Sequence, residues 1–213
     1  MPKTDPFDRH MERYERWFER HGGEYAAELE AVRALMPPDP GRMLEVGVGS
    51  GRFAAPLGVG FGVEPSVVMA RRARDLGVTV VQGIGEALPF VDAAFGGVLM
   101  VTTLCFVDDL DRTCREAFRV LQPGGCILTG FVDLDSDLGR RYDAHKAGSV
   151  FYRDARFYTT AQVLAHLAAA GFVAPELRQT LIPGAPAGTV AEGHGRGAFV
   201  VIRAERPGAA ARV

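Results

Sequence analysis

Two hydrophobic periods divide the chain. In its first part Phe7, Met11, Tyr14 and Phe18 follow one another by four, three and four positions. That spacing predicts a helix over residues 8–21. Glu12 and Arg16 form a favourable exposed pair on it, and His21-Gly22-Gly23 ends it. A second helix, to about Met36, carries Tyr25, Leu29, Val32 and Met36 on one face, and PPDPG at 37–41 stops it. Beyond this linker the period shortens. Apolar runs of strand length recur at Met43–Val46, Phe61–Val63, Val78–Val81, Gly97–Val101 and Cys126–Val132. Helical stretches at 66–76, 110–121 and 160–170 lie between or after them. Strands apolar on both faces, alternating with helices, predict a doubly wound, mostly parallel α/β sheet. The end differs: Val173–Thr180 and Ala198–Ala204 are joined by a Pro/Gly-rich loop with no helix, which predicts an antiparallel hairpin at the sheet edge. The expected sheet has seven strands.

The whole reads as one domain over 1–213, with a helical cap at 1–38 and a core at 39–134 and 159–205. Residues 135–158, dense in charge and aromatic rings, break the alternation. They are expected to form a partly helical insertion over the carboxyl edge of the sheet, where open α/β sheets bind ligands.

Composition narrows the classes. With 47% apolar residues the chain has material for a sizeable core, and a net charge of −2 with interspersed signs leaves no basic stripe for nucleic acid or anionic lipid. No 18-residue apolar run occurs, and the first twenty residues are too charged for a signal peptide. Three cysteines, 105, 114 and 126, form no CxxC pair, which fits a reduced cytoplasmic interior. The five histidines show no ligand spacing, so no metal site is expected.

The stretch LEVGVGSGRF, residues 44–53, sits between the first strand and the next helix. Glycines let backbone turn sharply and approach a ligand. A dinucleotide loop would need a third glycine where Arg52 stands, in a position that serves close helix–strand packing. An NAD-linked oxidoreductase is disfavoured on that ground.

The pattern E-x-G-x-G-x-G instead resembles the first motif of the class I S-adenosylmethionine (SAM) dependent methyltransferases. Further similarities follow in order: FGVEPS ending the second strand, GIGEALPF at 83–90, FGGVLM at 95–100 and EAFRVLQPGG at 116–125. The small quinone-biosynthesis-like branch is the nearest in pattern. The resemblance implies a Rossmann-like fold and SAM as cofactor, with S-adenosylhomocysteine as product. It implies that Glu45, Gly47, Val48, Gly49 and Gly51 hold the methionine part. It also implies that Glu64, followed by Pro65, takes the ribose hydroxyls, and a carboxylate suits a cis-diol. Ile84, Gly85 and Glu86 would meet the adenine, with Ile84 standing where many relatives have an acid. Only twelve residues separate Gly51 from Glu64, so the intervening helix must be short.

Methyl transfer from a sulfonium needs alignment and water exclusion more than acid–base groups. MVTTLCFVDD runs off the fourth strand, so Thr102 is expected near the cofactor's methionine moiety. Thr103 and Cys105 would follow on the acceptor side, though strand-end threonines also satisfy loop backbone and a lone cysteine also serves as a small core residue. Asp108 and Asp109 read as a helix N-cap. Asp133, off the fifth strand, is the candidate general base. Tyr14, Trp17 and Tyr25 are lid candidates whose rings could face a cation. Arg140 and Tyr142 are further substrate candidates.

The main reading is therefore a methyltransferase acting on a small molecule in a capped pocket, as monomer or homodimer, with neither nucleic acid nor membrane as partner. A SAM-binding sensor or partner subunit without transferase activity is the alternative.

Overall fold

The computed structural model describes residues 4–38 and 42–208. Asp39, Pro40 and Gly41 of the linker, and the last five residues of the tail, lie outside them. Strands β1 (Met43–Val46), β2 (Phe61–Val63), β3 (Thr79–Val81), β4 (Phe95–Val101), β5 (Leu121–Val132), β6 (Val173–Thr180), β7 (Ala191–Glu192) and β8 (Phe199–Glu205) form one sheet. Its order is β3-β2-β1-β4-β5-β8-β6-β7. The first five strands are parallel, and β8, β6 and β7 are antiparallel to their neighbours.

The sheet thus has eight strands rather than seven. The extra one is the two-residue β7, a piece of the loop between β6 and β8 that pairs Arg178 with Glu192 and Gln179 with Ala191. A run this short carries no period, so pattern alone does not reveal it. The hairpin of β6 and β8 sits at the sheet edge as its patterning requires, with β8 slotted between β5 and β6. β5 also starts earlier than its apolar run. Leu121 pairs with Phe95, and the register then shifts across Gln122–Gly125 before Cys126 meets Gly97.

Successive residues of the buried strands serve opposite faces. Leu44 and Val46 point into a core shared with α6 (Leu110–Val120) and α8 (Thr160–Ala169). Met43 packs into a second core with α3 (Gly22–Arg33), α4 (Ala54–Leu57) and α5 (Val67–Asp75). Polar caps fix where the helices start: Ser66, Asp109 and Thr159 each accept from a backbone N–H three residues on, and Gln162 completes a capping box with Thr159. α4 has only four residues, as the short connection demands, and Gly58 ends it in a left-handed conformation (φ +74°).

The N-terminal helix is not continuous. Asp5–Arg9 (α1), with Pro6 in its first turn, is separated from Met11–Arg20 (α2) by His10 at φ −126° and ψ 28°. No local breaker marks this site. Asp8 of α1 accepts from the Ser66 hydroxyl at the start of α5, a tertiary bond that ties the first turn to the core. α3 ends at Arg33, three residues before Met36. The 135–158 stretch holds α7 (Asp137–His145) and a short 3-10 turn at 146–148.

Candidate active site

At the carboxyl ends of β1 to β5 lies a cavity of about 750 Å³. It sits where the strand order reverses between β1 and β4, the crevice that open α/β sheets offer to ligands. One half is built from strand ends, the other from helices and loops.

Three glycines in the first loop have three different causes. All have positive φ (+69°, +53° and +84° at 47, 49 and 51). A Cβ on Gly47 would stand 2.5 Å from the Thr103 methyl, so this glycine makes room for the β4 loop. A Cβ on Gly51 would come 3.2 Å from Ala73 Cα, so it lets α5 approach; Gly51 does not line the cavity. Gly49 alone of the three is uncrowded: its Cβ would make only ordinary contacts, with Tyr14 Oη at 3.5 Å and Met69 Cε at 3.7 Å. Its N–H donates to Glu64 (2.9 Å), as does that of Ser66 (2.9 Å).

Two acids from adjacent strands flank this cradle. Burial pushes Glu64 up to about 7, against the opposing pull of the Ser66 and Gly49 amides. Glu45, 2% exposed, is driven well above the usual carboxylate range by burial, offset by the Ala54 amide and reinforced by Glu64. Its Oε2 has no hydrogen-bond partner among the described residues. A buried carboxylate oxygen without a donor is costly unless a ligand supplies one.

Arg52, where a dinucleotide loop would have glycine, ties the N-terminal helices to the loop. Its guanidinium pairs with Glu15 of α2 and lies 5.2 Å from the Phe18 ring, and its carbonyl accepts from the Tyr25 hydroxyl. Tyr25 is accordingly spent beneath the loop and does not line the cavity.

The other strand ends complete this half. Pro65, Ile84, Gly85 and Glu86 line it, but the Glu86 carboxylate is engaged by the amides of Asp108 (2.6 Å) and Asp109 (3.3 Å). The 83–90 segment is held from below by Glu116 and Arg119. Glu116 accepts from the Leu88 amide, and Arg119 donates to the carbonyls of Leu88 and Phe90. Thr102 lines the cavity at φ +51°, a strained conformation for a β-branched residue that is seen chiefly at functional sites. Thr103 lines it too, though its hydroxyl is turned to the carbonyls of Val101 and Gly47.

Aromatic side chains from separate segments close the other half. Stacked or edge contacts run from Tyr142 to Tyr152, on to Phe106, to Phe7 and to Tyr14, with centroid separations of 5.2–5.9 Å. Phe151 joins this chain against Phe7, and Trp17 stacks on His21. Glu28 of α3 also lines the cavity at 5% exposure. Burial pushes it up to about 8, helped by Glu24.

Among the sequence candidates, Tyr14, Trp17, Tyr142 and Thr103 line the cavity, whereas Cys105, Arg140 and Asp133 do not. Cys105 turns its thiol to the Thr102 carbonyl. Arg140 is paired with Asp137 on the exposed face of α7 and bonds the Asp135 carbonyl. Asp133 is 2% exposed and accepts from Asp135 N, Thr160 N and Thr160 Oγ1, strapping α8 to the end of β5. A carboxylate so occupied is no base for a substrate in the cavity. Phe7, Glu28, Phe106 and Arg141 escaped the sequence reading. Phe7 was visible only as part of a helical face, and a single acid inside an alternating charged helix carries no signal of burial.

Comparison with known proteins gives the family and the fold. Residues 44–129 match the family described as "Methyltransferase domain". A crystal structure from Thermotoga maritima, titled a SAM-dependent methyltransferase and possible histamine N-methyltransferase, superposes with a TM-score of 0.90. It is 46% identical, over 95% of this chain and 98% of that one. The chain belongs to the class I SAM-dependent methyltransferases. An uncharacterized protein of Methanocaldococcus jannaschii is 40% identical over 94% of this chain and 98% of its own length. The ubiquinone/menaquinone biosynthesis C-methyltransferase of Photorhabdus laumondii is 32% identical over 140 residues, 55% of this chain and 56% of that protein. Among the described residues, no helix is long and apolar enough to cross a membrane.

The residues fit the cofactor this family uses. Unpartnered Glu45 Oε2 offers a seat for an ammonium, Glu64 stands at the second strand end for a diol, and Gly49 keeps the cradle open.

Proposed function

We propose that the protein transfers a methyl group from SAM to a small-molecule acceptor enclosed in the cavity. The observation that carries this reading is the pair of buried acids at the ends of β1 and β2, one with an oxygen that nothing else satisfies. Glu45 would hold the cofactor's ammonium, with Gly47, Val48 and Gly49 around its methionine part. Glu64 and Pro65 would hold the ribose, and Ile84, Gly85 and Glu86 the adenine. When bound, SAM supplies an electrophilic methyl on a sulfonium, which leaves as a neutral thioether.

The chain's own contribution is then alignment and exclusion of water. Thr102, locked at positive φ by the Gly130 carbonyl, fixes the floor between cofactor and acceptor. The aromatic chain from Tyr142 to Tyr14 ties α1 and α2 to residues 135–158 as a cover, so residues 4–38 and the insertion act as one lid over the core. The names of the relatives point to different acceptor atoms, nitrogen in one and carbon in another, and neither is carried over. The test is S-adenosylhomocysteine formation from SAM against a panel of small amines, phenols, thiols and activated carbons. Acceptor-dependent product supports the reading; SAM binding without turnover for any acceptor favours a SAM-binding protein that does not transfer.

A further inference from the structure

The half of the cavity closed by aromatic rings contains a buried carboxyl, Glu28, whose role the methyltransferase reading leaves open. Glu28 lies on α3, lines the cavity and has no hydrogen bond or ion pair among the described residues. It sits close enough to Tyr142 and Tyr152 to perturb both hydroxyls, and both rings line the same space. Of the arginines that line the cavity, Arg13, Arg20 and Arg141 are exposed at its rim, and the half-buried Arg52 is paired with Glu15. Glu24, a turn earlier on α3, is the charge that acts on Glu28, and it has the same sign. Tyr25 is the remaining titratable group in its field. α3 packs on α2, β5, β6 and β8, and none of their charged side chains acts on Glu28.

A carboxyl buried without a partner is expensive to keep ionised, and a cation arriving beside it recovers that cost. Aromatic rings next to it favour the same charge through their faces. We propose that Glu28 seats the positively charged amine of the methyl acceptor beside Tyr142 and Tyr152, making the site selective for small amines with an apolar body. The proposal rests on the methyltransferase reading and adds the acceptor's chemical class to it. Without ligand the carboxyl is held mostly protonated near neutral pH by burial. Seating an ammonium ionises it, and the displaced proton passes to the solvent, so recognition and proton release are one event.

The test uses the full chain saturated with S-adenosylhomocysteine and titrated with phenethylamine, 2-phenylethanol and 3-phenylpropionate, which share a body and differ in charge. The amine is expected to bind at least about tenfold more tightly than the alcohol, and the acid not at all. Calorimetry at pH 7 in buffers of different ionisation enthalpy should read release of about one proton per amine bound to wild type and none to Glu28→Gln. Glu28→Gln should lose at least about tenfold in amine affinity while its affinity for S-adenosylhomocysteine stays within about twofold, which reports that it is folded. The proposal is overturned if the alcohol or the acid binds as well as the amine, if no probe binds the saturated protein, or if Glu28→Gln leaves amine affinity and proton release unchanged. The wild-type series alone decides the matter should that variant not fold. If S-adenosylhomocysteine itself does not bind, the methyltransferase reading falls first.

Discussion

The two halves of the cavity are made in different ways. The half at the ends of β1 to β4 is backbone and short loops whose polar groups are tied to one another, Glu64 to the Gly49 and Ser66 amides, Glu86 to those of Asp108 and Asp109, and Thr103 to the Gly47 carbonyl, with Glu45 Oε2 the exception. The half made by α1–α3, α7 and residues 149–152 is an assembly of rings from segments distant in sequence, with one unpartnered acid among them. A satisfied network holds a single geometry, whereas ring packing tolerates replacement of its members. The first half suits a ligand of one fixed shape, the second a ligand whose body can vary.

Breaking the first half should have the largest effect. Glu64→Ala removes the anchor of two loop amides and the proposed ribose acceptor, and S-adenosylhomocysteine affinity should fall at least about 100-fold in a calorimetric titration, about 2.7 kcal/mol.

The glycines sharpen the contrast within that half. Gly47→Ala drives a Cβ into Thr103 at positive φ and should cost about 2–4 kcal/mol in denaturant unfolding. Adding Thr103→Ala, which removes the clashing methyl and hydroxyl, should recover part of that loss. Gly49→Ala has room in the fold, so it should cost only about 1 kcal/mol in stability and show its main effect in cofactor binding.

Titration compares the halves again. Glu28, raised to about 8 by burial, binds its proton more tightly folded than unfolded. Its favourable contribution is full below about pH 4.5 and is lost as pH rises through about 8. Glu64, raised to about 7, acts in the same direction. The ligand-free protein should therefore lose stability as pH climbs from 5 to 8, by an amount on the order of a few kcal/mol. Glu28→Gln should flatten that slope and be the more stable form at pH 8 in chemical denaturation.

The smallest effects should come from residues outside the cavity. Asp133→Asn should leave transfer within about threefold while losing about 1–3 kcal/mol of stability, because its bonds to Asp135 and Thr160 are structural. Arg140→Ala, on an exposed ion pair, should change neither binding nor transfer by more than about twofold.

The same division governs what could be read from the sequence. Every element of the strand-end half is local: a glycine loop, a strand-terminal acid, an N-cap three residues before its amide. These survive in one dimension, so Glu64, the short α4 and the edge hairpin were all legible. Glu116 and Arg119 were legible only as a pattern, and their purpose appeared once they were seen bracing residues 88–90. Arg52 was read as an obstacle to another cofactor, when its work is to bind α2 through Glu15. The aromatic half depends on which rings meet across more than a hundred residues. Nothing in the spacing of Phe7, Phe106 and Tyr152 announces their contact, and nothing in α3 separates buried Glu28 from exposed Glu24 and Glu30. Asp133 failed for the same reason: a strand-end acid looks alike whether it faces a ligand or a helix cap.

The most direct measurement is equilibrium binding of S-adenosylhomocysteine and NAD to the wild type and to Glu64→Ala. The two buried acids at adjacent strand ends predict micromolar S-adenosylhomocysteine binding to the wild type, loss of that binding in the variant and silence with NAD. Binding of NAD, or equal S-adenosylhomocysteine affinity in both proteins, would contradict the assignment of this half of the cavity.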